Sequence, residues 1–232
     1  MQQEISSTDI AVVQEQQRFM VKVYGWMTFA LMTTGIVAMW VAESETILQF
    51  VFGNKFVFYG LLIAQLVMVI SMVGFVQKLS ASLATLLFVV YAALTRVTFS
   101  FIFLIYTSDS IAITFFITAG TFAVMSFYGY FTGTDLTRFG NIMLMGLVGL
   151  IIASVVNIFM KSEALQWITT YAGILIFTGL IAYDTQKIKN MNIIGNEGTA
   201  EDKKEAIVGA LILYLDFINL FLKLLRLFGK RK

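Results

Sequence analysis

The sequence predicts an all-α integral membrane protein in which seven helices cross the bilayer. Of its 232 residues, 59% belong to the set AVILMFWYC and only 13% are charged, against about 45–50% and about 25% in globular domains. A soluble chain of this size has too little interior to hide so much apolar surface. The apolar residues also fall into seven stretches, each close to the ~20 residues that a helix needs to cross a bilayer.

Composition excludes several classes of function. The chain has neither Cys nor His, so disulfides, Ser–His and Cys–His hydrolases and almost all zinc sites are ruled out. A net charge of +2 is too small to indicate a nucleic-acid partner. The one enzyme class that this composition still permits is an aspartyl intramembrane protease. We expect the protein to have no enzyme activity and no resident cofactor.

The elements follow in chain order. Residues 1–17 are polar and acidic, without the pattern of a signal peptide, and are predicted to form an N-terminal arm; residues 18–232 form the transmembrane domain. The predicted spans lie at about 24–42, 56–76, 82–106, 110–131, 140–160, 165–186 and 206–228.

Most connections are short, which makes consecutive helices antiparallel neighbours in one bundle. The exception is 187–205, where Gly195 and Gly198 are predicted to break the helix. Thr199 followed by Asp202 predicts a capped restart. At the end of the fourth span, Gly129 and Gly133 form a GxxxG, which is typical of helix packing.

Lysine and arginine predict the orientation, because cytoplasmic loops carry more of them. An N-terminus in the cytoplasm puts eight of these residues in inner segments and two in outer loops, and the short arms suggest a bacterial inner or plasma membrane. The basic C-terminal tail does not fit this orientation rule, because seven crossings place the tail outside. We nevertheless favour a full seventh crossing over a re-entrant segment. The inner set is Arg18, Lys22, Lys78, Arg138, Lys187, Lys189, Lys203 and Lys204, and the outer set is Lys55 and Lys161.

Almost every ionisable group lies in a loop or at a span end, and three do not: Arg96, Asp184 and Asp216. Each costs ~2.5–3.5 kcal/mol at a helix centre, so each needs a partner, a hydrated cavity or neutralisation. Asp184 lies about 10 Å from the inner end of its helix near Met191, and Asp216 lies about 15 Å from the inner start of the next helix near Ala206. The two carboxyl groups are therefore predicted to meet at similar depth.

Two facing carboxylates in a low dielectric do not both ionise easily, so the pair would share a proton and act as a proton-sensitive latch. Its oxygens are also of the kind that Ca²⁺ prefers. The alternative is that hydroxyl or backbone groups cap Asp184 and Asp216 separately. Arg96 is either a counter-charge that modulates the pair or an arginine that lines a cavity or reaches the headgroups.

Three runs of sequence resemble the Bax inhibitor / YccA-like family, also called transmembrane Bax inhibitor motif proteins: ITFFITAGTFAVMSFYGYFTGTDLTRFGN (113–141), GLIAYDTQKIK (179–189) and LYLDFINLFLKLLRLFG (213–229). The resemblance extends over about residues 18–229. It implies a seven-helix bundle with a central last helix and a pH-sensitive calcium leak. By motif match it implies that Asp184 and Asp216 are the proton sensor. Arg96 departs from the family pattern, in which a small residue is expected.

Two functions remain open at this point. The first is a passive leak for Ca²⁺ or another cation, gated by Asp184 and Asp216 and modulated by Arg96. The second is a non-conducting regulator that binds another membrane protein, such as a membrane protease, through 1–17 or 187–205.

Overall fold

The regular elements of the protein are helices. The computed structural model describes residues 7–74 and 80–232, and over those ranges it contains eight α-helices. They are α1 (Ser7–Ala42), α2 (Glu45–Phe52), α3 (Lys55–Gly74), α4 (Ala81–Ile105), α5 (Ser108–Phe131), α6 (Thr137–Met160), α7 (Glu163–Met191) and α8 (Ala200–Phe228).

Seven of these helices are long and apolar enough to cross a membrane, which confirms the predicted fold class. The exception, α2, has eight residues and was not predicted. Helix bounds also differ from the predicted spans: α1 starts at Ser7, so residues 7–17 of the predicted arm are helical, and only 192–199 separates α7 from α8. The predicted inner residue Lys78 lies outside the described ranges.

The last helix is the most enclosed span. Of the apolar window of α8, 72% is buried within the protein, against 6–39% for the six other spans. Many large apolar side chains of the other spans are exposed, such as Phe116 at 72% and Phe159 at 81%. Exposure on this scale suits a surface that faces lipid instead of water. Asp216 lies on α8, where burial by protein makes an acid tolerable.

The chain divides into two compact units. The first comprises residues up to Leu104 together with Ile188–Leu211, and the second comprises Ile105–Lys187 together with Ile212–Lys232. Helices α7 and α8 each contribute to both units. Asp184 and Asp216 both belong to the second unit, whereas Arg96 belongs to the first.

In the first unit, the link between α7 and α8 has the geometry that its glycines predict. Gly195 and Gly198 have φ of +90° and +81°, values that side chains with a Cβ rarely adopt. The hydroxyl of Thr199 accepts the N–H of Asp202 at 3.2 Å, so the predicted N-cap is present. The carboxylate of Asp202 accepts the N–H of Gly198 at 2.9 Å, which connects the first turn of α8 to the preceding link.

Two ion pairs attach this link to α1. Arg18 donates from Nε and Nη2 to the two carboxylate oxygens of Glu197 at 2.8 and 2.9 Å, and Lys22 donates to the buried Asp202 at 2.7 Å. The side-chain carboxylate of Glu15 also accepts the N–H of Gly195 at 2.8 Å. Together these contacts hold the start of α8 against α1.

The pair of Arg18 and Glu197 makes a testable contribution that depends on pH. Its hydrogen bonds hold the pKa of the Glu197 carboxyl below its usual range. Because that pKa is lowered in the folded protein, the stabilisation is present at neutral pH and is lost as the pH falls below about 4. Glu197→Gln should therefore lower the unfolding temperature slightly at neutral pH and leave it unchanged in strong acid. Thermal unfolding at both pH values tests this, with the exposed Glu201→Gln as control; an equal shift at both would contradict it.

In the second unit, the C-terminal residues return to the start of α5. The backbone N–H of Lys232 donates to the carbonyl of Ile105 at 2.9 Å, and that of Thr107 donates to the carbonyl of Lys230 at 3.0 Å. Helix α8 reaches this tail without the break that a re-entrant segment would need.

Candidate functional site

The second unit brings the two predicted acids together. Asp184 on α7 and Asp216 on α8 are only 7% and 5% exposed, and their carboxyl groups lie close enough to act on each other. A hydrogen bond between them would require a proton on one of the two, because ionised carboxylates only accept hydrogen bonds. The structure thus brings the two predicted acids together on neighbouring helices, and their shared proton stays a prediction.

The surroundings of the two acids differ. Asp184 is influenced by the positive charge of Lys187, one turn further along α7. Asp216 is buried, and its carboxyl oxygen Oδ2 has no hydrogen-bond partner other than the neighbouring acid among the described residues. A buried polar atom in this state is uncommon.

Helix α5 fixes the depth of Asp184. Ser126 lies within hydrogen-bonding distance of Thr185, with 3.2 Å between the hydroxyl oxygens. One turn later, Gly129 lies so close to the carbonyl of Ala182 that a Cβ could not be accommodated. Small residues allow such backbone approach between membrane helices, so α5 and α7 are in close contact on both sides of Asp184.

Gln186 fastens the same stretch of α7 to the link between α5 and α6. Its side-chain oxygen accepts the N–H of Leu136 at 2.8 Å, and its side-chain nitrogen donates to the carbonyl of Thr134 at 2.8 Å. Both groups of the amide are thereby used. Because Gln186 is two residues from Asp184, this clamp restrains the position of the acid.

Aromatic rings pack α5 against α8 beside Asp216. Phe217, the next residue after the acid, has its ring centroid 5.7 Å from that of Phe122 and 5.4 Å from that of Phe115. The ring of Phe221 follows, 6.4 Å from Phe115. These contacts place an apolar layer next to the carboxyl pair.

The chain is similar to known proteins over almost its whole length. A family model described as inhibitor of apoptosis-promoting Bax1 matches residues 16–232. The chain belongs to this family. Inner membrane protein YbhL of Escherichia coli (strain K12) is 52% identical over 217 residues, which cover 93% of both chains.

Further relatives cover the chain equally well. A protein of Borreliella burgdorferi is 45% identical over 229 residues, which cover 96% of this chain and 99% of the relative. Protein RP147 of Rickettsia prowazekii is 46% identical over 219 residues, which cover 93% and 91%. The resemblance to the Bax inhibitor family is thus confirmed, and the protein is an integral membrane protein.

The other predicted site features have different outcomes. Arg96 lies on α4, but its side chain is outside the described residues, so its role as a modulator stays a prediction. Across the described ranges, no group of three or more His, Cys, Asp or Glu lies together. Ca²⁺ usually takes 6–8 oxygen ligands, so the pair alone is a small donor set.

Three polar residues of the site, Ser126, Thr185 and Gln186, were not predicted from the sequence. Thr185 and Gln186 directly follow Asp184, and that adjacency was the available signal. Ser126 carried none, because a single serine in an apolar helix has no special spacing.

Proposed function

We propose that this member of the Bax inhibitor family is a passive leak for Ca²⁺ or another cation and that the Asp184–Asp216 pair is its proton-sensitive gate. The observation that carries the proposal is that two buried acids on consecutive membrane helices, each at most 7% exposed, lie close enough to act on each other. Acids inside membrane spans are costly and commonly serve ion or proton pathways. The protein then needs no catalytic group and no resident cofactor.

The proton determines the sign of the pH response. With one proton shared, the carboxyl groups attract each other and hold α7 to α8. Without it, two negative charges face each other in a low dielectric and repel, while a cation is attracted to both. Flux should therefore rise as the pH rises and fall as the pair takes up its proton.

The membrane and orientation form part of the same proposal. The relative YbhL is named an inner membrane protein, which supports a bacterial inner membrane for this chain. The excess of Lys and Arg in the predicted inner segments supports an N-terminus in the cytoplasm. Asp184 and Asp216 then lie nearer the cytoplasmic face, and the N-terminal end of α5 faces outward.

Reconstitution into liposomes tests the proposal. Wild-type protein should carry Ca²⁺ down its gradient at a rate that changes with pH. Asp216→Asn and Asp184→Asn should each abolish this pH dependence, because an amide side chain does not exchange the shared proton. Asp109→Asn, which changes an exposed acid in the first turn of α5, is the matched control and should keep the wild-type profile.

Two results would overturn the proposal. An unchanged pH profile in Asp216→Asn would remove the pair as gate. Wild-type vesicles that leak no faster than protein-free vesicles at any pH would favour the alternative, a non-conducting regulator that binds another membrane protein.

A further inference from the structure

Helix α5 carries a row of hydroxyl groups on the one face that it buries. Its buried residues are Thr114, Thr118, Phe122, Ser126 and Gly129, spaced by four or three positions, so they lie on a single face. Thr114 and Thr118 are only 1% and 0% exposed. The row from Thr114 to Ser126 extends over about 18 Å of helix, and Phe122 alone interrupts its hydroxyls.

One end of this face is connected to the carboxyl pair. Ser126 meets Thr185, the neighbour of Asp184. Phe122 meets Phe217, the neighbour of Asp216. The α5 face therefore passes the pair and continues along the helix to Thr118 and Thr114, towards its N-terminal end.

Two buried oxygens beside this face lack partners. The hydroxyl of Thr118 donates to the carbonyl of Thr114 at 2.7 Å. The hydroxyl oxygen of Thr114 has no partner among the described residues, and the same is true of Oδ2 of Asp216. Buried polar atoms are nearly always satisfied by protein or by ordered water. Because Asp216 already interacts with Asp184, the unpaired hydroxyl of Thr114 is the stronger indication of a place for a hydrated ligand.

We propose that the route from the carboxyl pair to the outer face runs along this side of α5. Thr114 and Thr118 would form a hydrated step that binds the cation in passing, since hydroxyl and carbonyl oxygens suit hard cations. The rings of Phe122 and Phe217 would form the barrier between that step and the pair. Apolar constrictions of this kind gate channels by excluding water. This inference rests on the proposed leak function and adds its path and its barrier.

Cysteine labelling tests the path without any flux measurement. The chain has no cysteine, so a single introduced thiol gives an unambiguous signal. With a charged, membrane-impermeant thiol reagent added on the outer side, Thr114→Cys should react many times faster than Phe116→Cys. Phe116 is on the same helix but 72% exposed on the apolar surface, where water is absent. Equal, slow reaction at both positions would overturn the hydrated path.

Flux tests the barrier. At a pH where the wild-type leak is nearly closed, Phe122→Ala should raise the rate about tenfold, equivalent to about 1.4 kcal/mol off the barrier. Phe116→Ala should leave the rate unchanged. If Phe122→Ala leaks at the wild-type rate while the wild type still responds to pH, the barrier is wrong and the gate at the carboxyl pair stands.

Thr114→Val separates a conducting role from a structural one. Valine keeps the shape of threonine and removes only a hydroxyl that has no partner among the described residues, so the unfolding temperature should stay the same or rise. Flux should nevertheless fall severalfold. Thr121→Val, on the less buried side of α5, is the control and should alter neither. A Thr114→Val protein with wild-type flux would overturn the binding step.

Absence of any wild-type flux would overturn the proposed leak function itself. Labelling at Thr114 would still decide whether this face of α5 is hydrated.

Discussion

Replacing Asp216 by leucine should destabilise the protein by about 1–3 kcal/mol, the usual cost of leaving a buried polar group without its partner. The remaining carboxyl of Asp184 is 7% exposed and loses its polar neighbour Asp216. Leucine is close to aspartate in branching and length, so packing changes contribute little. Unlike the flux predictions, this result depends only on the contact between the two acids.

The double variant makes this prediction specific. With leucine at both 184 and 216, no unpaired carboxyl remains, and replacing both partners by apolar groups is often nearly neutral. The two single changes should therefore add up to more destabilisation than the double change produces. Unfolding of all four proteins in the same detergent measures the difference. Strict additivity would mean that the two side chains do not depend on each other.

The sequence was sufficient to predict this pair because of the physics of the membrane. A span must stay apolar for about 20 residues, so an acid within it stands out against its surroundings. Short links make neighbouring helices antiparallel, and counting residues from the ends then gives the depth of each acid. Asp184 and Asp216 were predictable from these two rules, and so were the seven spans.

The groups around the pair were not predictable by the same rules. Ser126 and Gln186 depend on how α5 and α7 are rotated about their axes, and hydropathy contains no information on rotation when a helix is apolar all round. The polar residues at the N-terminal end of the chain show the same limit of prediction from sequence. Residues 7–17 look like a separate arm, yet they belong to α1, and Glu15 among them accepts the N–H of Gly195 in the α7–α8 link.

Glycine spacing gives a further example of this limit. Gly129 and Gly133 form one GxxxG in the sequence, but they have different surroundings. Gly129 lies against the carbonyl of Ala182, whereas Gly133 has open space around it and follows the end of α5 at Phe131. Only the structure distinguishes a glycine required by close approach from one that ends a helix.

Two glycines of α5 should therefore respond to alanine with opposite signs. Gly129→Ala should cost about 1–3 kcal/mol, as overpacking of a tight interface usually does, because the new Cβ would overlap a backbone carbonyl that cannot turn aside. At Gly120, by contrast, an added Cβ would meet no described atom within 4 Å. Gly120→Ala should instead stabilise the helix by up to about 0.5–1 kcal/mol, the helix-propensity difference.

The Gly129→Ala change should also affect the carboxyl pair. Separating α5 from α7 at Ala182 stretches the contact between Ser126 and Thr185, which adjoins Asp184. The pH at which flux changes should therefore shift in Gly129→Ala and stay at the wild-type value in Gly120→Ala. Thermal unfolding and liposome flux of the two variants measure both effects. If the two alanines changed stability in the same direction, close approach of α5 to α7 would not be what Gly129 provides, and the restraint on Asp184 would have to come from Gln186 alone.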